Sequence, residues 1–149
     1  MFRNFDFVKS LDTVIAKDLN SADEILYCLH DPQGCILKVG ATMEYLIYRV
    51  IALMENITLL RGYGLGGYIS NLARQDILDE QTEDAFRYIV RNRNKANHDG
   101  LKNEHNAQVC LKKAHIITSY FVKQYNIGSP TEYKTSTFGS RLSDSLISA

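Results

Sequence analysis

The residue types best suited to chemistry are concentrated in one segment, Arg87 to Lys102. This segment contains five cations and a single anion, Asp99, although the chain as a whole has a formal net charge of zero. If the segment is helical, spacings of three and four residues place one row of polar side chains on a common face: Arg87, Arg91, the pair Asn94 and Lys95, and His98. A row of cations that ends in a histidine predicts the binding of an anion, and phosphate suits it best.

A histidine beside arginines can also act on a phosphodiester. The imidazole can remove a proton from a ribose 2′-hydroxyl or donate one to the leaving oxygen, while an arginine neutralises the charge that builds on the phosphate oxygens. Two spacings are present, since four residues separate Arg93 from His98 and six separate Arg91 from His98. A structural interpretation stays equally open, because cations near a helix C-terminus oppose the helix dipole and His98 can simply cap the turn at Asp99.

Two other patterns are weaker. The glycines at 62, 64 and 67 match G-x-G-x-x-G, but no βαβ pattern surrounds them, so we expect an interhelical turn over Arg61 to Gly67 and no bound nucleotide. The four histidines and three cysteines lack the clustered pairs of a zinc site or a disulfide framework. We therefore expect no metal, no cofactor and a reducing compartment.

Composition excludes several classes of protein. With 149 residues the chain suits one domain, and its charge balance excludes a generic nucleic-acid coat or a polybasic membrane binder. The N-terminus offers no apolar signal sequence, and charged residues interrupt the most hydrophobic window, Ile36 to Met54. These features predict a cytoplasmic protein with no membrane partner.

Apolar spacings of three and four residues and only two prolines predict an all-α protein with four principal helices. The first spans Phe5 to Leu29, with a break near residues 18–21. The second begins at Asp31-Pro32 and runs to about Ile57, with Gly40 allowing another helix to approach closely. The last two are a helix capped by Asp79, which carries the basic row and stops at Asp99-Gly100, and a closing helix from Glu104 to Tyr125.

The composition changes after this closing helix. Residues 128–149 contain nine Ser or Thr together with Gly128, Pro130 and Gly139. Such a segment is typical of a linker or a mobile tail, so we divide the chain into a helical domain, 1–127, and a tail, 128–149, that leads to a further domain.

Residues 93–98, Arg-Asn-Lys-Ala-Asn-His, resemble the motif of the HEPN superfamily: an arginine, usually a polar residue after it, and a histidine after four to six intervening residues. Arg91-Asn92 with His98 fits the longer form. The resemblance implies an up-and-down helical bundle that commonly forms a homodimer across its motifs. It also implies a metal-independent endoribonuclease in which His98 is the general acid or base, Arg93 or Arg91 stabilises the phosphate charge, and Asn94 positions one of them.

Within that superfamily the chain is most similar to the DUF4145 branch, found at the N-terminus of type I restriction R subunits and in other prokaryotic defence proteins. The similarity covers about residues 5–126. It rests on Phe5-Asp6-Phe7, on Asp31-Pro32 before a long helix with Glu44, and on residues 94–98, which resemble G-N-x-A-x-H. The family's glycine is Arg93 here and its upstream arginine falls at Val90, so the register leaves open which arginine pairs with His98.

Three functions of different classes follow. The first is an endoribonuclease of a toxin or phage-defence system. The second is a non-catalytic N-terminal module of a larger restriction enzyme, whose basic face binds RNA, DNA or a partner domain. The third is a dimerisation domain without nucleic acid. For the first two, the expected nucleic-acid contacts are Arg87, Arg91, Lys95 and Lys102.

Overall fold

The protein is described by a computed structural model that covers residues 3–59, 63–99 and 103–135. Within these ranges the chain is helical and contains no strand, which confirms the all-α prediction. Five helices follow a 3₁₀ turn, Asp6–Ser10. They are α1 (Thr13–Tyr27), α2 (Pro32–Tyr45, continued by a π-helical turn, Leu46–Ile51, and a last α-turn, Ala52–Met54), α3 (Gly64–Arg74), α4 (Glu80–Asp99) and α5 (Glu104–Gln124).

The first helix begins later than its apolar pattern predicted. The Asp12 carboxylate accepts a hydrogen bond from the Ile15 backbone N–H at 2.9 Å, so α1 starts at Thr13 and the break falls before it, not near residues 18–21. A side-chain oxygen at this position satisfies one of the backbone donors that every helix leaves free at its start. Leu29, expected on the apolar side, lies beyond α1 and is 69% exposed.

The second helix begins as predicted and ends differently. Asp31 accepts from the Gly34 N–H at 2.9 Å, and Pro32 occupies the first turn. The expected apolar row is buried as far as the π-helical turn, but Leu53 is 78% exposed. A π-helical turn contains more residues per hydrogen-bonded ring than an α-turn, so it rotates the residues that follow it away from the buried side.

Helix α3 is the element that the sequence analysis missed. The turn predicted over Arg61 to Gly67 is wrong from Gly64 onward, because α3 begins there and buries Leu65, Ile69 and Leu72. Gly64 has a φ of +66°, a left-handed conformation that glycine adopts without steric cost. The described residues therefore form five helices where four were predicted.

Successive long helices run antiparallel. The Gln33 side chain at the start of α2 donates to the Ala96 carbonyl near the end of α4, at 2.9 Å. Asn106 at the start of α5 donates to the Asn92 side chain near the end of α4, at 2.7 Å, while Tyr120 near the end of α5 donates to the Ile77 carbonyl just before α4. The last turns of α4 are thus fixed from two sides, by α2 and by α5.

The segment after α5 returns to the bundle. Lys134 and Asn4 exchange two hydrogen bonds, from the Lys134 N–H to Asn4 Oδ1 at 2.8 Å and from Asn4 Nδ2 to the Lys134 carbonyl at 3.0 Å. The Nε2 atom of His115 lies 2.6 Å from the Thr131 carbonyl. Residues 128–135 therefore pack on the helical domain, whereas residues 136–149 lie outside the described ranges and their role as a linker stays a prediction.

Candidate nucleic-acid interface

The second half of α4 presents four of the candidate residues on one surface. The side chains of Arg91, Asn94, Lys95 and His98 are all exposed. Among the residues described, none forms a hydrogen bond or an ion pair with these four side chains. We call this surface the α4 face. Its cations and its imidazole are directed to solvent, where a ligand can reach them.

Arg93 lies on another side of the same helix. Its Nη1 atom is 3.1 Å from Glu44 Oε2 on α2, and its side chain keeps only 19% of its surface exposed. The aliphatic part of the side chain lies across Gly40, where a Cβ atom would overlap with the Arg93 Cδ. Gly40 therefore does permit a close approach, but of the Arg93 side chain rather than of a helix backbone.

The helix geometry separates the two arginines with respect to His98. At about 100° per residue, Arg93 and His98 lie about 140° apart around α4. Arg91 and His98 are two turns apart and lie within about 20° of each other. Within one chain, the six-residue spacing thus places an arginine and the histidine on a common surface, and the four-residue spacing does not.

The remaining predicted contacts are distributed differently. Arg87 is half-buried, because it approaches Glu83 at 3.4 Å and donates to Ser70 Oγ on α3 at 3.2 Å. It connects α3 with α4 and is less available to a ligand than Arg91. Lys102 and the turn predicted after Asp99 lie outside the described residues, so their contributions stay predictions.

Charge is segregated along α4. Its first turns carry Glu80, Glu83 and Asp84, and its last turns carry the cations of the α4 face. This order opposes the helix dipole at both ends and stabilises the helix. The dipole accounts for the sign of the charge at each end, but it does not require that Arg91 and Lys95 lack carboxylate partners among the described residues.

The structure adds two residues that the sequence analysis did not assign to binding. Tyr88 is half-buried, with the Arg91 guanidinium carbon 5.9 Å from its ring centroid and the Lys113 Nζ of α5 at the same distance. Burial is the main cause that raises the pKa of the Tyr88 phenol, which keeps the ring neutral. No spacing in the sequence predicts that Lys113 lies near Tyr88, because the two residues belong to different helices, α5 and α4.

The other chemically versatile side chains are used for packing. Burial raises the pKa of the Cys35 thiol and raises that of Cys110 to about 12, so both stay protonated and unreactive. Within the described ranges, no three His, Cys, Asp or Glu side chains converge as they would around a metal ion. Ile89 on α4 is fully buried and cannot contribute to a dimer contact, whereas Tyr45 on α2 is 36% exposed.

Comparison with known proteins gives no assignment. No family model, no curated protein and no solved structure matches the chain. In the part of the chain that the structure covers, no helix is both long enough and apolar enough to span a bilayer.

Proposed function

We propose that the chain is a HEPN-like domain of a prokaryotic defence or toxin system and that its α4 face binds RNA. The observation that supports this is the exposure of Arg91, Lys95 and His98 on one surface without a carboxylate partner among the described residues. The similarity to the DUF4145 branch supplies the biological setting, and a homodimer with α4 faces opposed is part of the same proposal.

The available cations determine how strongly such a surface binds. A cation that is already paired, as Arg93 is with Glu44, gives up that interaction when it turns to a phosphate. Arg91 and Lys95 carry no such cost, so each phosphate they neutralise releases condensed counterions. We expect the affinity to depend mainly on these two residues and to fall steeply as salt rises.

Binding is tested with a fluorescent single-stranded RNA whose affinity is measured at several salt concentrations. Replacing both Arg91 and Lys95 with Ala is expected to reduce the slope of log affinity against log salt by about one to two units. The matched control replaces Lys17 on α1 and Lys123 in the last turn of α5, two exposed lysines whose loss changes the net charge equally. An identical response of the two double variants contradicts a specific role for the α4 face.

A second function, metal-independent cleavage of RNA, is favoured by one specific observation: Arg91 and His98 lie on the same surface. In this reaction His98 accepts the proton of a ribose 2′-hydroxyl, and the resulting oxygen attacks the adjacent phosphorus. The bond from phosphorus to the 5′-oxygen breaks and that oxygen takes up a proton, so the products are a 2′,3′-cyclic phosphate and a 5′-hydroxyl. Arg91 would neutralise the charge that builds on the phosphate, and no metal ion takes part.

Cleavage is tested with purified protein and single-stranded RNA in EDTA. His98→Ala is expected to slow cleavage by a factor of about 10² or more, as for other general acids and bases. Arg91→Ala is expected to slow it more than Arg93→Ala, because Arg91 shares the surface of His98. His105→Ala is the control, since it removes another exposed histidine, near the start of α5.

Two results would exclude the enzymatic function. One is cleavage that requires a metal ion, and the other is full activity of the His98→Ala variant. RNA binding without any cleavage by the wild-type protein would favour the non-catalytic module of a larger enzyme, and sequencing the reading frame past Ala149 for helicase or nuclease motifs would test that alternative.

A further inference from the structure

Tyr88 occupies the boundary between α4 and α5, beside the α4 face. The side chain packs against the hydrophobic core and is partly exposed. Arg91 lies one turn further along α4, and Lys113 approaches from α5, so cations from two different helices lie near one aromatic ring. The arrangement extends the cationic surface from α4 onto the neighbouring helix.

Arg91 and Lys113 are not neutralised by any described carboxylate. Within the described part of the chain, neither Arg91 nor Lys113 forms an ion pair with a carboxylate, and each lies over the Tyr88 ring. An interaction between a cation and a ring leaves most of the donor N–H groups of the cation free. At 5.9 Å from the ring centroid both cations lie near the outer limit of such a contact, so a cation that moves to a phosphate oxygen leaves its face of the ring to a base.

An aromatic ring between cations has a recognised use in nucleic-acid binding. Cations hold the phosphate backbone, and an accessible ring stacks on a base that is not already paired and stacked. In double-stranded RNA the bases are stacked inside the helix, and the protein contacts backbone and 2′-hydroxyl groups instead. A ring at this position therefore distinguishes a single strand from a duplex, which the cations alone do not.

We propose that Tyr88, between Arg91 and Lys113, stacks on a nucleobase and makes the α4 face select single-stranded over double-stranded RNA. The inference rests on the proposed RNA binding and adds the class of RNA that is bound. The ring contributes a part of the affinity that does not depend on salt, whereas Arg91 and Lys113 contribute the part that does.

The experiment compares a single-stranded RNA with a blunt duplex of the same length, each titrated across a range of salt concentrations. For Tyr88→Leu we expect a loss of roughly tenfold in single-strand affinity, with an unchanged salt slope and an unchanged affinity for the duplex. Tyr88→Phe should retain single-strand binding, because it keeps the ring. Tyr63→Leu is the control, since this tyrosine is 56% exposed at the start of α3.

The duplex affinity also reports whether Tyr88→Leu folds, because a misfolded variant would lose duplex binding as well. The inference would be overturned if Tyr88→Leu melts normally and the ratio of its single-strand affinity to its duplex affinity equals that of the wild-type protein. In that case the wild-type protein still binds RNA, so only the stacking role fails. A wild-type protein that binds neither RNA at low salt would overturn the proposed function together with the inference.

Discussion

Two histidines occupy contrasting surroundings in this molecule. His98 is exposed on the α4 face, and no described residue bonds to its side chain. His115 lies in what we call the aromatic cradle, formed by Phe5, Phe7 and Tyr133, with ring centroids 5.2–6.0 Å from its own. Because the Thr131 carbonyl can only accept, the neutral His115 ring must carry its proton on Nε2. The same side chain is thus a packing element in one region and an accessible group in the other.

The two arginines of the motif show the same contrast. Arg91 extends into solvent, whereas Arg93 crosses Gly40 and pairs with Glu44. The aromatic cradle and the contact between α2 and α4 use their polar side chains to connect segments of the chain. Among the described residues, none bonds to a polar side chain of the α4 face, so substitutions on this face should change RNA binding with little effect on stability. Four measurements test this division, from the largest expected effect to the smallest.

The aromatic cradle should depend most strongly on Phe5, which is fully buried. Phe5→Ala removes a large apolar side chain and leaves a cavity, so we expect a loss of about 3–5 kcal/mol in the free energy of unfolding. Urea denaturation measures this, with Tyr63→Ala as an exposed aromatic control that should change stability by less than about 0.5 kcal/mol. A Phe5→Ala variant as stable as the control would show that residues 3–10 do not belong to the core.

The histidine pair provides the direct test. His115→Ala leaves the Thr131 carbonyl without its partner and removes a ring from the aromatic cradle, so we expect a loss of about 1–3 kcal/mol. His98→Ala should change the unfolding free energy by less than about 0.5 kcal/mol, since its side chain is exposed. Comparable losses for both variants, measured by the same denaturation, would mean that His98 pins the turn after α4 and would weaken its assignment to chemistry.

The contact between Gly40 and Arg93 predicts a coupling. In the wild-type background Gly40→Ala forces the Arg93 side chain out of its position and disturbs the pair with Glu44. In an Arg93→Ala background the overlap with Cδ and Cγ is removed and only the Cβ, 3.1 Å away, remains close, so Gly40→Ala should cost less there, offset by about 1 kcal/mol of higher helix propensity. A double-mutant cycle in urea should therefore give a coupling energy of at least about 0.5 kcal/mol. Additive effects would contradict the close contact.

The smallest effect concerns pH. Burial lowers the pKa of His115 below that of an unfolded histidine, although the hydrogen bond to Thr131 acts in the opposite direction. As pH falls through the unfolded value of about 6.5, the unfolded chain takes up a proton before the folded chain does, so stability falls. His115→Gln retains a donor for Thr131 and should show a weaker fall between pH 7.5 and 5.5. His98→Gln is the matched control, and an equal response of both variants would contradict this assignment.

Helix boundaries that depend on neighbouring residues could be predicted from the sequence. The cap by Asp31 with Pro32 is confirmed, and so is the cap by Asp79, which accepts from the Thr82 N–H at 2.8 Å. Both depend on contacts within one turn, so no other part of the chain is needed to form them. Helix α3 was missed because glycine lowers its helix propensity, and the π-helical turn at Leu46–Ile51 was missed because it continues the apolar pattern of α2 without a local signal of its own.

The sequence by itself determined that this chain is helical, where its principal caps lie, and that its cations are concentrated near the end of α4. Only the tertiary structure decided which of those cations is available. Arg91 and Arg93 are two residues apart and chemically identical, and α2 supplies a carboxylate and a glycine to one of them alone. Lys113 reaches Tyr88, and Thr131 reaches His115, through contacts between distant segments. Such contacts depend on how helices pack, which local propensity and periodicity do not specify.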